Sequence, residues 1–303
     1  MLPSSSSRSS GLPTPINITP VATLDYPLPA FLAVLAAAVM HATWNAWVRG
    51  GTNPLLHTSA LVIWTGVFAV PFVVVLPLPD PASWPLLGLS IVIHVVYYFT
   101  LSRAYTYGTL SVMYPIMRGL APLLVSVGTW IFIGETPGTT GWTGVLLISL
   151  GVLGIAFKAR INEARTAIGW ALACSATIAT YTIVDGQGAR LSQNPISFSA
   201  WLFLLEAVVF SSLLTLAGQG RALVQYIGTR VRATAMGGLL SAAGYATVLW
   251  AMTQAPMALV SATRETSVLF AALLGVWLLK ERLTTRQWAS ALVIVFGLVT
   301  LRL

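Results

Sequence analysis

Residues 134–142 read GETPGTTGW, and residues 280–288 read KERLTTRQW. One offset of 146 residues lays Glu135 on Glu281, Thr139 on Thr285 and Trp142 on Trp288. Carried outward without a gap, the same offset lays Arg118 on Arg264 and Gly151 on Gly297. Arg, Glu and Trp are scarce in the chain, so two apolar stretches matched by composition alone do not align this way. An internal repeat of this length constrains the architecture before any local structure is assigned.

Of the 303 residues, 56% are hydrophobic and only 8% charged. Soluble domains carry about 25% charged residues, so a soluble fold is excluded. The apolar residues fall into ten blocks, at 29–49, 56–78, 84–105, 109–133, 141–158, 166–185, 195–217, 233–253, 257–279 and 286–303. Each is close to the roughly 20 residues a helix needs to cross a hydrocarbon core. The expected fold is therefore an all-α polytopic membrane protein of ten transmembrane helices. Five spans in each half is an odd number, so the second half enters the membrane from the opposite side. The expectation is two inverted five-helix repeats around a central cavity, an arrangement that suits alternating access. Residues 29–158 form the first repeat and 159–303 the second, with KARINEARTA (158–167) at the junction. The Ser- and Pro-rich residues 1–28 lack an apolar core and read as a disordered tail, not a cleaved signal.

The net charge of +8 does not mark a nucleic-acid binder, because the basic residues are scattered over short loops. Loops after odd-numbered spans hold Arg49, Arg103, Lys158, Arg160, Arg165, Arg221, Arg230, Arg232, Lys280, Arg282 and Arg286, against Arg8, Arg190 and Arg302 on the other side. The positive-inside rule then puts the odd loops in the cytoplasm and both termini outside. The single cysteine, Cys174, has no partner for an intrachain disulfide and no company suited to a metal. No metal and no cofactor are expected.

Two charges stand out. Arg118 lies within VMYPIMRGLAPLL (112–124), in a stretch with no other charge from Thr109 to Gly134, and Arg264 lies in an equally apolar run. An arginine at mid-membrane costs at least about 2.5–3.5 kcal/mol on insertion scales. At about 1.5 Å of rise per residue they lie roughly 12 and 10 Å deep. Either both snorkel to an interface, or they bracket a shared wet site from oppositely running helices and offer their forks to a carboxylate, phosphate or phosphonate. Glu265, beside Arg264, reads as a proton-coupling carboxylate or as a counter-charge to the arginines. Glu206 reads as a titrating group or a satisfied interhelical hydrogen bond. In HATWNAW, His41, Trp44 and Asn45 share one helical face and line a cavity or form a hydrogen-bonded cluster between helices. His94 and Tyr98 repeat the four-residue spacing, as do Tyr114 and Arg118, which makes Tyr114 a cavity-wall candidate. No carboxylate is expected near either histidine, so neither suggests a metal. Tyr181 and Asp185 are four apart, with Asp185 near the membrane edge as a third proton-coupling candidate or an interfacial residue. Pro115 and Pro122 are expected to kink the fourth span.

No HExxH, GxSxG, P-loop or paired catalytic aspartates occur, so an enzyme is not expected and transport cannot run on ATP hydrolysed by this chain. AYTYGTLSVMYPIMRGLAPLL with its following GE, and APMALVSATRETSVLFAALLGVWLLKERL, resemble the EamA family of the drug/metabolite transporter superfamily. HATWNAWVR and YTIVDGQGAR are similar to the openings of the two halves in one branch. The resemblance covers nearly all of residues 29–303. It implies a 5+5 helical basket and secondary transport, often export, of small metabolites such as amino acids or organic anions. Some relatives are described with cytoplasmic termini. The expected partners are a small-molecule substrate and the lipid bilayer of a bacterial inner membrane, a homodimer being compatible. Proton-coupled alternating access is the expected mechanism, and a passive facilitator or channel on the same fold is the alternative. Gly119 stands where Glu265 stands in the second half, so any coupling through Glu265 is asymmetric.

Overall fold

The computed structural model describes residues 26–48, 53–156, 165–280 and 283–303, and no strand occurs among them. The helices are α1 (Leu28–Val48), α2 (Pro54–Val75), α3 (Trp84–Tyr107), α4 (Leu110–Ile133), α5 (Gly138–Ala156), α6 (Arg165–Leu191), α7 (Pro195–Leu216), α8 (Gly220–Thr229), α9 (Val231–Gln254), α10 (Met257–Glu265), α11 (Ser267–Leu279) and α12 (Thr285–Thr300). Among the described residues eight spans are long and apolar enough to cross a membrane, α10 and α11 together supplying one; α1 and α12 are shorter apolar helices. Large side chains such as Val75, Phe132, Leu216 and Trp277 stand largely exposed on the outside of the bundle, a surface suited to lipid and not to water. The chain is a polytopic membrane protein of about ten helices. Residues 1–25 of the expected tail and most of the expected junction, 157–164, lie outside the described residues.

Local chemistry repeats between the halves. Both α2 and α7 open on Asn-Pro. Asn53 accepts from the Leu56 N–H at 3.2 Å and Asn194 from the Ser197 N–H at 3.1 Å, while the proline that follows occupies the first turn, where its missing N–H costs nothing. α4 ends at Gly134 in the left-handed conformation, φ 75°. The residue 146 positions on, Lys280, ends α11 in the same conformation at φ 55°, where an L-residue with a Cβ is strained.

Packing pairs the halves as well: α5 lies on α12, α2 on α7, α3 on α6 and α1 on α9. Exchanging the halves maps each of the first two pairs onto itself and the last two onto each other. Small residues permit the closest crossing. A Cβ on Gly151 would lie 2.5 Å from Ile294 Cγ1 and 2.9 Å from the Ser290 carbonyl, and one on its repeat mate Gly297 would lie 2.7 Å from Ile148. The glycines therefore set the α5–α12 distance, as small residues do where lipid removes the hydrophobic drive between helices.

Two further features shape the bundle. Residues 220–229 form an extra amphipathic helix, α8, whose Leu223 and Tyr226 are buried against α2, with Tyr226 Oη 2.9 Å from His57 Nδ1. And α4 runs unbroken as a helix through Pro115 and Pro122, whereas the interruption falls in its repeat mate, at Thr266 between α10 and α11.

Candidate functional site

Arg118 on α4 and Arg264 on α10 meet at the centre of the bundle. Both are buried, 7% and 5% exposed, and Glu265, fully buried, lies between them. Glu265 Oε2 is 2.6 Å from Arg118 Nε, and Glu265 Oε1 accepts from Arg264 Nη2 at 3.4 Å. The closer contact is electrostatic and poorly aligned, so Arg118 Nε and Nη2, Arg264 Nε and Glu265 Oε2 have no hydrogen-bond partner among the described residues. Two guanidinium groups thus share one carboxylate, with donors left over. Both guanidinium groups are enclosed by protein and not turned out to its surface.

The Arg264 guanidinium lies 5.9 Å from the centre of the Tyr245 ring, within cation–π range. Tyr245 in turn donates its hydroxyl to Asp185 Oδ2 at 2.5 Å. That bond joins the arginines to a second group. His94 Nε2 is 4.0 Å from Asp185 Oδ2, and His94 Nδ1 is 3.8 Å from Glu206 Oε1. The imidazole stacks on Tyr181 at 4.3 Å, and Nδ1 lies 3.0 Å from the Ser90 carbonyl oxygen. An Nδ1–H donates to that carbonyl and leaves Nε2 facing Asp185; with both nitrogens protonated the ring is a cation between two carboxylates. Asp185 Oδ1 and Glu206 Oε1 have no hydrogen-bond partner among the described residues.

Two readings of the sequence are corrected here. Asp185 is neither interfacial nor near an edge: α6 continues to Leu191, and Asp185 is completely buried. Nor is His94 remote from carboxylates, since α6 and α7 each bring one to it. The remaining candidates surround these two groups. His41 lies close enough to Arg118 and Arg264 to feel both charges, and its ring meets Trp44 edge-on at 5.2 Å. Tyr114 is an electrostatic neighbour of Arg118. Tyr98 packs edge-on against Phe210 at 4.5 Å. The side chain of Asn45 lies outside the described residues. A surface cavity of about 610 Å³, lined by Phe68, Arg232, Met236 and Leu239, lies at the start of α9. No cluster of metal-binding type occurs among the described residues.

Sequence reasoning missed Tyr245, a lone tyrosine in an Ala- and Gly-rich run, and it missed a second ion pair. Arg190, at the end of α6, donates from Nη1 to Glu135 Oε2 at 2.7 Å, from Nε to the Met252 carbonyl at 2.7 Å and from Nη2 to the Ala255 carbonyl at 3.0 Å. Glu135 Oε1 accepts the Met257 N–H. The arginine satisfies carbonyls left open where α9 ends, and the glutamate caps the first turn of α10. One pair fastens the ends of α4, α6 and α9 to the start of α10.

Residues 165–303 match the profile of the EamA-like transporter family. Over 229 residues the chain is 24% identical to the uncharacterized transporter YwfM of Bacillus subtilis (strain 168), which covers 72% of this chain and 73% of that protein. The fold matches that of a crystal structure of another protein with a TM-score of 0.69 at 18% identity, covering 90% of this chain and 96% of that one. The family profile and the Bacillus subtilis relative point to a transporter and not to an enzyme, while the crystal structure shows the likeness of fold alone.

Proposed function

We propose that this chain, whose residues 165–303 match the EamA-like transporter family, is a membrane transporter that moves a small metabolite bearing an anionic group by proton-coupled alternating access. One observation carries the reading: two buried arginines at equivalent positions of the repeat share a single carboxylate and keep unpaired donors. Burying two such charges against lipid is costly, and an arriving carboxylate, phosphate or phosphonate offsets that cost through charge-assisted hydrogen bonds. His94, Asp185 and Glu206 supply the proton-handling group, linked to the arginines through Tyr245. Residues 29–158 and 159–303 act as the two repeats that open the centre to either side in turn. Net export across a bacterial cytoplasmic membrane is the physiological direction.

The test is transport in proteoliposomes under an imposed pH gradient, over a panel of carboxylates and phosphonates. Wild type concentrates an anionic member of the panel against its gradient, while Arg118→Gln and Arg264→Gln each lose at least about tenfold of that rate, the equivalent of one lost charge-assisted contact. Unchanged anion transport in both variants refutes the arginine role. Equilibration without concentration makes the protein a passive facilitator.

A further inference from the structure

Glu265 occupies its place because of an asymmetry in the repeat. The matching position in the first half is Gly119, where a Cβ would lie 2.7 Å from Leu153 Cγ and 3.3 Å from the Leu153 backbone nitrogen. No carboxylate fits there, so the two arginines have one acid between them. The chain contains a standard for what a structural Arg–Glu pair looks like. Arg190 bonds through Nε, Nη1 and Nη2, and both oxygens of Glu135 accept. The central group is bonded less completely, a hydrogen bond running from Arg264 Nη2 to Glu265 Oε1 at 3.4 Å. Arg118 Nε and Nη2 and Arg264 Nε lack acceptors, and Glu265 Oε2 approaches Arg118 without accepting a hydrogen bond. Glu265 is also the last residue of α10, and the turn at Thr266 separates it from α11. A side chain at a helix break can leave its position with a small change of backbone, whereas one within a continuous helix cannot.

We propose that Glu265 is a resident occupant of the anion site, a carboxylate supplied by the protein that holds Arg118 and Arg264 until the transported anion replaces it. The inference rests on the reading that these arginines bind the anion, and adds how the site is regulated. The empty centre never presents two bare guanidinium groups to lipid or to stray chloride. An incoming ligand has to out-compete a tethered carboxylate, which favours groups that engage an arginine fork through two oxygens over a spherical ion. The apparent affinity for substrate is lowered by the fraction of time Glu265 is in place.

The experiment uses the full chain in detergent with benzoate as probe and chloride at equal ionic strength as control, binding being read from the thermal midpoint. If Glu265 occupies the site more than about nine-tenths of the time, Glu265→Gln lowers the half-saturating benzoate concentration by about tenfold or more, and Arg118→Gln added to it abolishes the gain. Equal or weaker benzoate binding by Glu265→Gln, or no binding by either protein, overturns the proposal. Benzoate binding by wild type that survives both Arg118→Gln and Arg264→Gln refutes the arginine reading itself, whatever Glu265→Gln does. Should Glu265→Gln fail to fold, carbodiimide labelling of Glu265 in wild type, read by peptide mass spectrometry, gives the answer. Displacement predicts that benzoate increases labelling; labelling that falls or stays level overturns it.

Discussion

Replacing Glu135 with alanine removes a buried carboxylate both of whose oxygens accept hydrogen bonds, and the cost can be worked from its contacts. The carboxylate is 3% exposed, pairs with Arg190 at 2.7 Å and accepts the Met257 N–H. Removing one partner of a buried ion pair costs about 3–5 kcal/mol, and a buried N–H left without an acceptor costs about 1–3 kcal/mol. Arg190 softens the loss. Its side chain is 14% exposed and keeps the Met252 and Ala255 carbonyls, so about 3 kcal/mol in total is expected for Glu135→Ala. Glu135→Gln keeps an oxygen for Met257 and should cost about half of that. Thermal unfolding in detergent measures both, at about 2 °C per kcal/mol for a chain of this size. The double variant Glu135→Ala with Arg190→Ala supplies the decisive term, because residues in one network show coupling of about 0.5–3 kcal/mol. Midpoints of both single variants within 1 °C of wild type, or a double variant that loses the plain sum of the single losses, refute the view that this pair fastens the helix ends together.

Two further predictions concern the scaffold. Lys280→Gly should raise the unfolding midpoint, because relief of a left-handed residue, φ 55°, is worth about 1–2 kcal/mol and exceeds the 0.5–1 kcal/mol of backbone entropy that glycine loses; a lower midpoint contradicts it. Gly151→Ala should cost about 1–3 kcal/mol of stability through overpacking of the α5–α12 crossing and lower the midpoint accordingly, whereas Gly88→Ala in α3, where an added Cβ meets nothing within 4 Å, should be neutral or stabilising by up to about 1 kcal/mol; equal effects at the two sites remove the packing argument.

The parts of this protein that were legible in its sequence are those that scarcity makes visible. A few arginines, glutamates and tryptophans in an apolar chain are enough to align its halves, and Arg118 and Arg264 stand out as charges inside apolar runs. Asp185 was misplaced for a physical reason. The run DGQGAR looks like the end of a helix, yet Gly186 and Gly188 are helical because their missing side chains admit Met257 and Phe198 at distances a Cβ would forbid. Burial against neighbours overrode intrinsic propensity. The Arg190–Glu135 and Tyr245–Asp185 contacts join residues 55 and 60 positions apart, and no local pattern announces them. The α8 helix did carry a signal, since Leu223, Tyr226 and Ile227 fall on one helical face, but ten residues between two spans pass easily for a loop.

The scaffold and the centre obey the repeat differently, and the difference has a functional logic. Gly134 and Lys280, Asn53 and Asn194, Gly151 and Gly297 play the same structural parts in both halves. Around the arginines the correspondence fails: Gly119 faces Glu265, Pro115 faces Ser261, Pro122 faces Val268, and α4 is continuous where α10 and α11 are broken. Symmetric ends suit a machine that must open to either side by the same motion. A metabolite whose two ends differ in chemistry is not matched by a centre with two identical halves, so gripping such a molecule calls for unlike groups from the two repeats. Positions inside the bundle where the repeat breaks are therefore the first places to look for substrate selection, ahead of those where it holds.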